Sequence, residues 1–201
     1  MRRTFPAIGT VHLENAITAH RAIYPSERLE VTARPRRLRS HPKGRLFDLV
    51  TEVRAGGELV WEETSTFLRP GGGDAAAPGG GQTFERLPQP GARWDLPADL
   101  GRRYARVSGD RNPIHLFALT AKAFGFRRQI AHGMWSKARC LASLAGRLPD
   151  AVTVEVTFKK PVLLPATVAF GSVPSGDGYV FSLTSPSNGA AHLLGRSTVP
   201  D

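Results

Sequence analysis

The chain of 201 residues holds a single cysteine, Cys140. One thiol makes neither an internal disulfide framework nor a cysteine-based zinc site. Acidic side chains are also scarce: 17 Asp and Glu stand against 27 Lys and Arg, a formal charge of +10 and an isoelectric point near 10.8. That imbalance points to anionic partners or substrates. Long apolar runs are missing, and none approaches the roughly 18–20 residues a membrane helix needs. Met1-Arg-Arg-Thr-Phe-Pro6 is basic but no apolar stretch follows it, so the sequence reads without a signal peptide and a cytoplasmic location is expected. Hydrophobic residues at 41% and charged residues at 22% are ordinary for a globular chain. The length suits one large domain or two of about 100 residues, enough to bury a core without staples.

What is abundant in one place is glycine and proline. Pro70-Gly-Gly-Gly-Asp-Ala-Ala-Ala-Pro-Gly-Gly-Gly81, followed by Pro88, Pro90 and Gly91, has nothing to bury and reads as a flexible linker over 70–92. Before it, 1–69 alternates as strands at Thr10–Ile17, Arg28–Ala33, Leu46–Val53 and Leu59–Leu68, with Gly56-Gly57 as a hairpin turn. After it, 93–201 differs. Helical spacing marks Ala98–Val107, Phe117–Phe124 and Gly133–Leu148, and strands follow at Ala151–Phe158, Ala166–Val173, Gly178–Thr184 and Ala190–Thr198. A helix wrapped by a curved antiparallel sheet explains this order, and two such halves can merge their sheets. The densest charge lies at Arg34-Pro-Arg36-Arg37-Leu-Arg39-Ser-His41-Pro-Lys43-Gly-Arg45. It reads either as a nucleic-acid patch or as a solvated hairpin turning at Pro35, Pro42 and Gly44. It lacks interleaved aromatics and any helix-turn-helix or zinc pattern, which favours the hairpin and no nucleic-acid partner.

The chemistry concentrates in Ser108-Gly-Asp110-Arg-Asn112-Pro113-Ile-His115. A carboxylate, an amide and an imidazole fall within six residues, on a loop that Pro113 restrains. Asp110 and His115 can share one water, one accepting its proton and the other holding it. The same residues also make a good turn. Downstream, Ile130-Ala-His132-Gly133-Met134 opens the apolar helix. The free N–H groups of a helix start stabilise charge on an oxygen, and glycine permits close approach of a carbonyl. His132 reads as a packed or capping histidine, and Cys140 as a packed one.

These segments, with Ala121-Lys-Ala-Phe124-Gly125-Phe126 and Phe158-Lys-Lys160-Pro161-Val162 in that order, closely resemble the MaoC-like (R)-specific enoyl-CoA hydratases, or hydratase 2. The resemblance spans roughly 95–200. Residues 7–69 are similar to the first half of the long members, the (3R)-hydroxyacyl-thioester dehydratases of actinobacteria. The resemblance implies an α+β double hot-dog fold and interconversion of trans-2-enoyl-CoA with (3R)-3-hydroxyacyl-CoA. It implies Asp110 and His115 as the catalytic pair, Asn112 orienting them, the Gly133 N–H at the thioester oxygen, and Phe158 and Met134 against substrate. No cofactor or metal is required, coenzyme A being part of the substrate. Arg127, Arg128, Lys159 and Lys160 flank the motifs and are candidates for its phosphates, with Arg128 and Lys160 foremost; an acyl-carrier thioester is the other substrate form. Long members place a helical region ahead of the segment matching Ala7-Ile-Gly-Thr10. This chain starts almost at the first strand, so its first half is expected to be an incomplete hot dog whose apolar face is covered by self-association, giving a homo-oligomer. The alternatives are a non-catalytic acyl-thioester-binding or partner subunit and a hot-dog thioesterase.

Overall fold

The computed structural model describes residues 9–79, 84 and 91–200. Nine strands form one antiparallel sheet: β1 (Val11–Ala19), β2 (Leu29–His41), β3 (Gly44–Ala55), β4 (Glu58–Pro70), β5 (Ala92–Leu96), β6 (Val152–Phe158), β7 (Ala166–Ser175), β8 (Gly178–Thr184) and β9 (Ala191–Thr198). Their spatial order is β2-β3-β4-β1-β6-β9-β8-β7-β5. The first four strands therefore lie together and meet the later five along the β1–β6 seam, where Asn15 faces Val156 and Ile17 faces Val154. Among the described residues four helices sit in the second half: α1 (Leu100–Ser108), α2 (Pro113–Leu116), α3 (Ala118–Ala123) and α4 (Gly133–Ala142).

The main core is built where α4 meets the curved sheet. Cys140 and the following Leu144 are fully buried with Val154, Val156, Val168, Phe181, Leu183 and Leu193. This is the helix-in-sheet arrangement of a hot dog. The first half has no counterpart: among the described residues its apolar cluster is Val53, Ala55 and Val60, with Ile23 and Trp61 packed against it. It contributes four strands and, among the described residues, no helix.

Two expectations need correction. The central helix stops at Ala142 and continues to Leu148 as turns, because the Ser143 amide bonds back to the Cys140 carbonyl and the Leu144 amide to that of Leu141. The helix expected over Phe117–Phe124 is α3, Ala118–Ala123, which the extended backbone of Phe117 sets off from the short α2 before it. The basic run is mostly strand. β2 extends through it to His41, with a bulge between Arg36 and Arg39 and a turn only at Pro42-Lys43. Pairing with β3 carries the strand through the charge: each residue of an edge strand can stay solvated while its backbone pairs on one side. The linker expectation falls partly outside the described residues, at 80–83 and 85–90, and its first part is anchored. The Gly71 amide donates to the Lys43 carbonyl (3.0 Å) and that of Asp74 to the His41 carbonyl (3.2 Å).

Candidate active site

The Asp110 loop is organised by a succession of short side chains bonding to nearby backbone. Helix α1 ends at Gly109, a left-handed C-cap. Ser108 Oγ donates to the Tyr104 carbonyl and accepts from the Asp110 amide. Asp110 Oδ1 accepts from the Asn112 amide (3.0 Å). Asn112 is the N-cap of α2, its Oδ1 accepting from the Ile114 amide, and Pro113 takes the first helical position where its missing N–H costs nothing. One turn later comes His115, carried by the same cap. Asn112 thus touches both Asp110, through its amide, and the helix bearing His115. A glycine sets the depth of this unit. A Cβ on Gly101 would lie 1.9 Å from the His115 carbonyl oxygen, so α1 packs against α2 only with glycine there.

His115 is buried, and its Nδ1–H donates to the Ile130 carbonyl (2.9 Å). That bond assigns the proton to Nδ1 and leaves the Nε2 lone pair open. Burial, reinforced by the neighbouring imidazole of His132, pulls its pKa from 6.5 down to about 4. Asp110 is half-exposed, its side chain 51% accessible, so the pair is open to solvent on the carboxylate side. One donor atom each from Asp110, His115 and His132 fall within 4.8 Å of one another. A single water making two hydrogen bonds of about 2.8 Å spans about 4.6 Å, so one water fits between such groups. A metal ion fits less well. The two rings stack at 3.7 Å and 26°, so their in-plane lone pairs run side by side instead of converging.

The α4 N-terminus completes the site. Gly133 is its first residue, so its N–H has no acceptor inside the helix. A Cβ there would come within 3.0–3.2 Å of the Phe158 ring, which places that aromatic directly over the helix start. Phe158 in turn lies 4.9 Å from the His12 ring, and His12 stacks on Phe67 at 4.5 Å. The first half thus reaches the site through β1. Burial lowers the His12 pKa to about 4. Met134 follows in the first turn of α4, half-buried. Arg128 and Lys160 are exposed, on loops that the Ile130–Leu163 bridge holds together.

Sequence reasoning missed three buried polar groups. His132 is not simply packed: its Nε2–H donates to the Asp110 carbonyl (3.1 Å) and its ring stacks on His115. Its position beside the motif was the available signal. His12 gave none, sitting in an ordinary alternating strand. Lys137 reads as the polar position of an apolar helix, yet it is 1% exposed and donates to Asn15 Oδ1 and the Val154 carbonyl.

Comparison with known proteins gives the family of the chain. The MaoC like domain family matches residues 83–185, and the chain belongs to that family. The chain is 40% identical over 193 residues to 3-hydroxyacyl-thioester dehydratase X of Mycobacterium tuberculosis, covering 94% of this chain and 68% of that one. The crystal structure of HtdX from the same organism superposes with a TM-score of 0.86 at 38% identity, over 98% of this chain and 78% of that one. A MaoC-like dehydratase from Phytophthora capsici, at 20% identity and a TM-score of 0.78, shares the fold.

Proposed function

We propose that this protein reversibly hydrates trans-2-enoyl thioesters to (3R)-3-hydroxyacyl thioesters. The juxtaposition of the Asp110 carboxylate, the open Nε2 of His115 and the α4 N-terminus carries the reading. Membership of a dehydratase family, and 40% identity to a 3-hydroxyacyl-thioester dehydratase, support it. A water bonded to Asp110 and His115 attacks C3. His115 Nε2 takes its proton, and electron density moves through C2 to the thioester oxygen. The Gly133 N–H bonds that oxygen as charge builds; one such donor contributes about 3 kcal/mol to the barrier reduction. Passing the proton from His115 to C2 on the same face completes syn addition and restores the neutral imidazole. Asn112 orients the pair, and Phe158 and Met134 border the acyl group. Arg128 and Lys160 meet the phosphates of coenzyme A.

Incubation with crotonyl-CoA tests this. Loss of the conjugated enoyl-thioester absorbance, with 3-hydroxybutyryl-CoA of R configuration as product, is expected. Release of free coenzyme A thiol would instead identify a thioesterase, and binding without turnover an acyl-thioester-binding subunit. Lys160→Glu and Arg128→Glu are expected to raise KM with little change in kcat, because contacts remote from C2 and C3 act on ground and transition states alike. Unchanged KM in both variants would remove these residues from the coenzyme A site.

A further inference from the structure

His132 sits where a plain helix cap would serve, yet its environment is unlike one. It is the N-cap of α4 but makes no side-chain capping bond to that helix. It is 2% exposed. Its Nε2–H donates to the Asp110 carbonyl oxygen at 3.1 Å and lies 3.7 Å from Asp110 Oδ2. One face stacks on His115 at 3.7 Å, and Tyr104 of α1 meets it edge-on at 4.9 Å. Because Nε2 carries the proton, Nδ1 is an acceptor, and it is buried with no hydrogen-bond partner among the described residues. A buried orphan acceptor destabilises the fold, because its lost hydration is not replaced. Leucine would fill this space without that cost, so packing alone gives no reason for an imidazole here.

We propose that His132 is a positioning residue for the Asp110–His115 pair, fixing the Asp110 loop through the carbonyl bond and holding the His115 ring face-on by stacking. This rests on the hydratase reading of the site. The arrangement sets two things at once. The carbonyl bond ties residue 110 to the start of the helix whose Gly133 faces the thioester oxygen, so the water-holding carboxylate and the oxyanion donor move as one body. The stack leaves His115 one in-plane direction, its Nδ1–H to Ile130 and its Nε2 opposite. The stacked rings also disfavour protonation of either, which keeps His115 the neutral base the addition requires. The charged and titratable groups facing the stack are Asp110 from the loop, Tyr104 from α1 and His115 from α2, and Asp110 also interacts electrostatically with His12 of β1.

The test uses full-length His132→Leu and His132→Gln with crotonyl-CoA, beside wild type and Asp110→Asn. Glutamine keeps an N–H at the reach of Nε2 but removes the ring. His132→Leu is expected to fold with an unchanged or raised melting temperature, to lose kcat by about 10- to 100-fold, and to keep KM within about twofold. His132→Gln is expected to recover much of that kcat. In both, the acid limb of kcat/KM moves toward higher pH, since His115 has lost the neighbouring imidazole. Wild-type kcat in His132→Leu overturns the proposal. So does an equal loss in both variants with an unmoved acid limb, which is the mark of a merely structural residue. If His132→Leu does not fold, the limb in His132→Gln decides. Inactive wild type would sink the hydratase reading itself, whereas active wild type with indifferent His132 variants would sink only this inference.

Discussion

At the scale of single residues, the arrangement makes two kinetic predictions. Asp110 and His115 bind one water in the proposed reaction, so they act as a unit. Asp110→Asn and His115→Ala are each expected to lower kcat by about 10²- to 10⁴-fold, and the double variant to lose little more than either. Additive losses in log rate would show that they do not share a step. The second concerns pH. Burial and His132 lower the pKa of His115 from 6.5 to about 4, so its neutral form persists well into acid. The acid limb of kcat/KM for hydration is therefore expected near pH 4, and a limb centred on the ordinary imidazole value would exclude His115 as the base. Asp110, Asn112, His115 and Gly133 could be picked out because their geometry is local: a proline-restrained loop and a helix start are built by neighbours in sequence. His132 was read as a cap because its actual partners, Tyr104, Asp110 and His115, arrive from 17 to 28 residues away.

At the scale of elements, the decisive piece is α4, which belongs to one half but is fastened to both. Lys137 lies one turn beyond Gly133 on the same side. Its ammonium donates to Asn15 of β1, and Asn15 Nδ2 donates to Glu63 and Ser65 of β4. The partners are 122 residues apart, which is why no periodicity in the helix announced them. Strands were legible for the opposite reason: alternation is a property of each segment alone. The five-residue β5 was too short to show it, and the basic run, expected to turn also at Pro35, carries β2 on to a single hairpin turn at Pro42-Lys43. Its bulge, Pro35 and row of exposed arginines suit an edge strand that does not recruit another chain. Burial lowers the Lys137 pKa from 10.5 to about 7. Below pH 7 the native state must hold a buried ammonium. Between 7 and 10.5 the unfolded chain binds the extra proton, so this group makes stability rise with pH. Cys140, raised to about 12 by burial, opposes it only above pH 9. Denaturant unfolding at pH 7, 8 and 9 is expected to show a rising midpoint in wild type and a flatter one in Lys137→Met. Parallel slopes would mean that Lys137 is solvated.

At the scale of the whole molecule, the two halves share one sheet but not one kind of interior, and acid should expose the difference. The second half buries a large apolar core around α4; the first offers a small cluster and a wall of the site. Across their junction lie His12 and His115, both held neutral by burial, each pulled from 6.5 to about 4. His132, stacked on His115, is lowered by the same cause. In the unfolded chain all three protonate as pH falls through 6.5, while the folded chain resists until about 4 for the two with assigned values. Their contribution to stability is therefore complete above pH 6.5 and lost on descending toward 4, by up to roughly 3 kcal/mol for each of His12 and His115. His12 separates this titration from catalysis, since its ring packs on Phe67 and Phe158 and it carries no proton in the proposed reaction. His12→Phe keeps an aromatic between Phe67 and Phe158 and removes the titration. It is expected to match or exceed wild-type stability at pH 7.5, to lose less stability than wild type between pH 6.5 and 4.5, and to retain hydratase turnover at neutral pH. A variant as acid-sensitive as wild type would show that His12 reaches water in the native state. The β1 wall would then be an open rim of the site instead of a sealed contact between the halves.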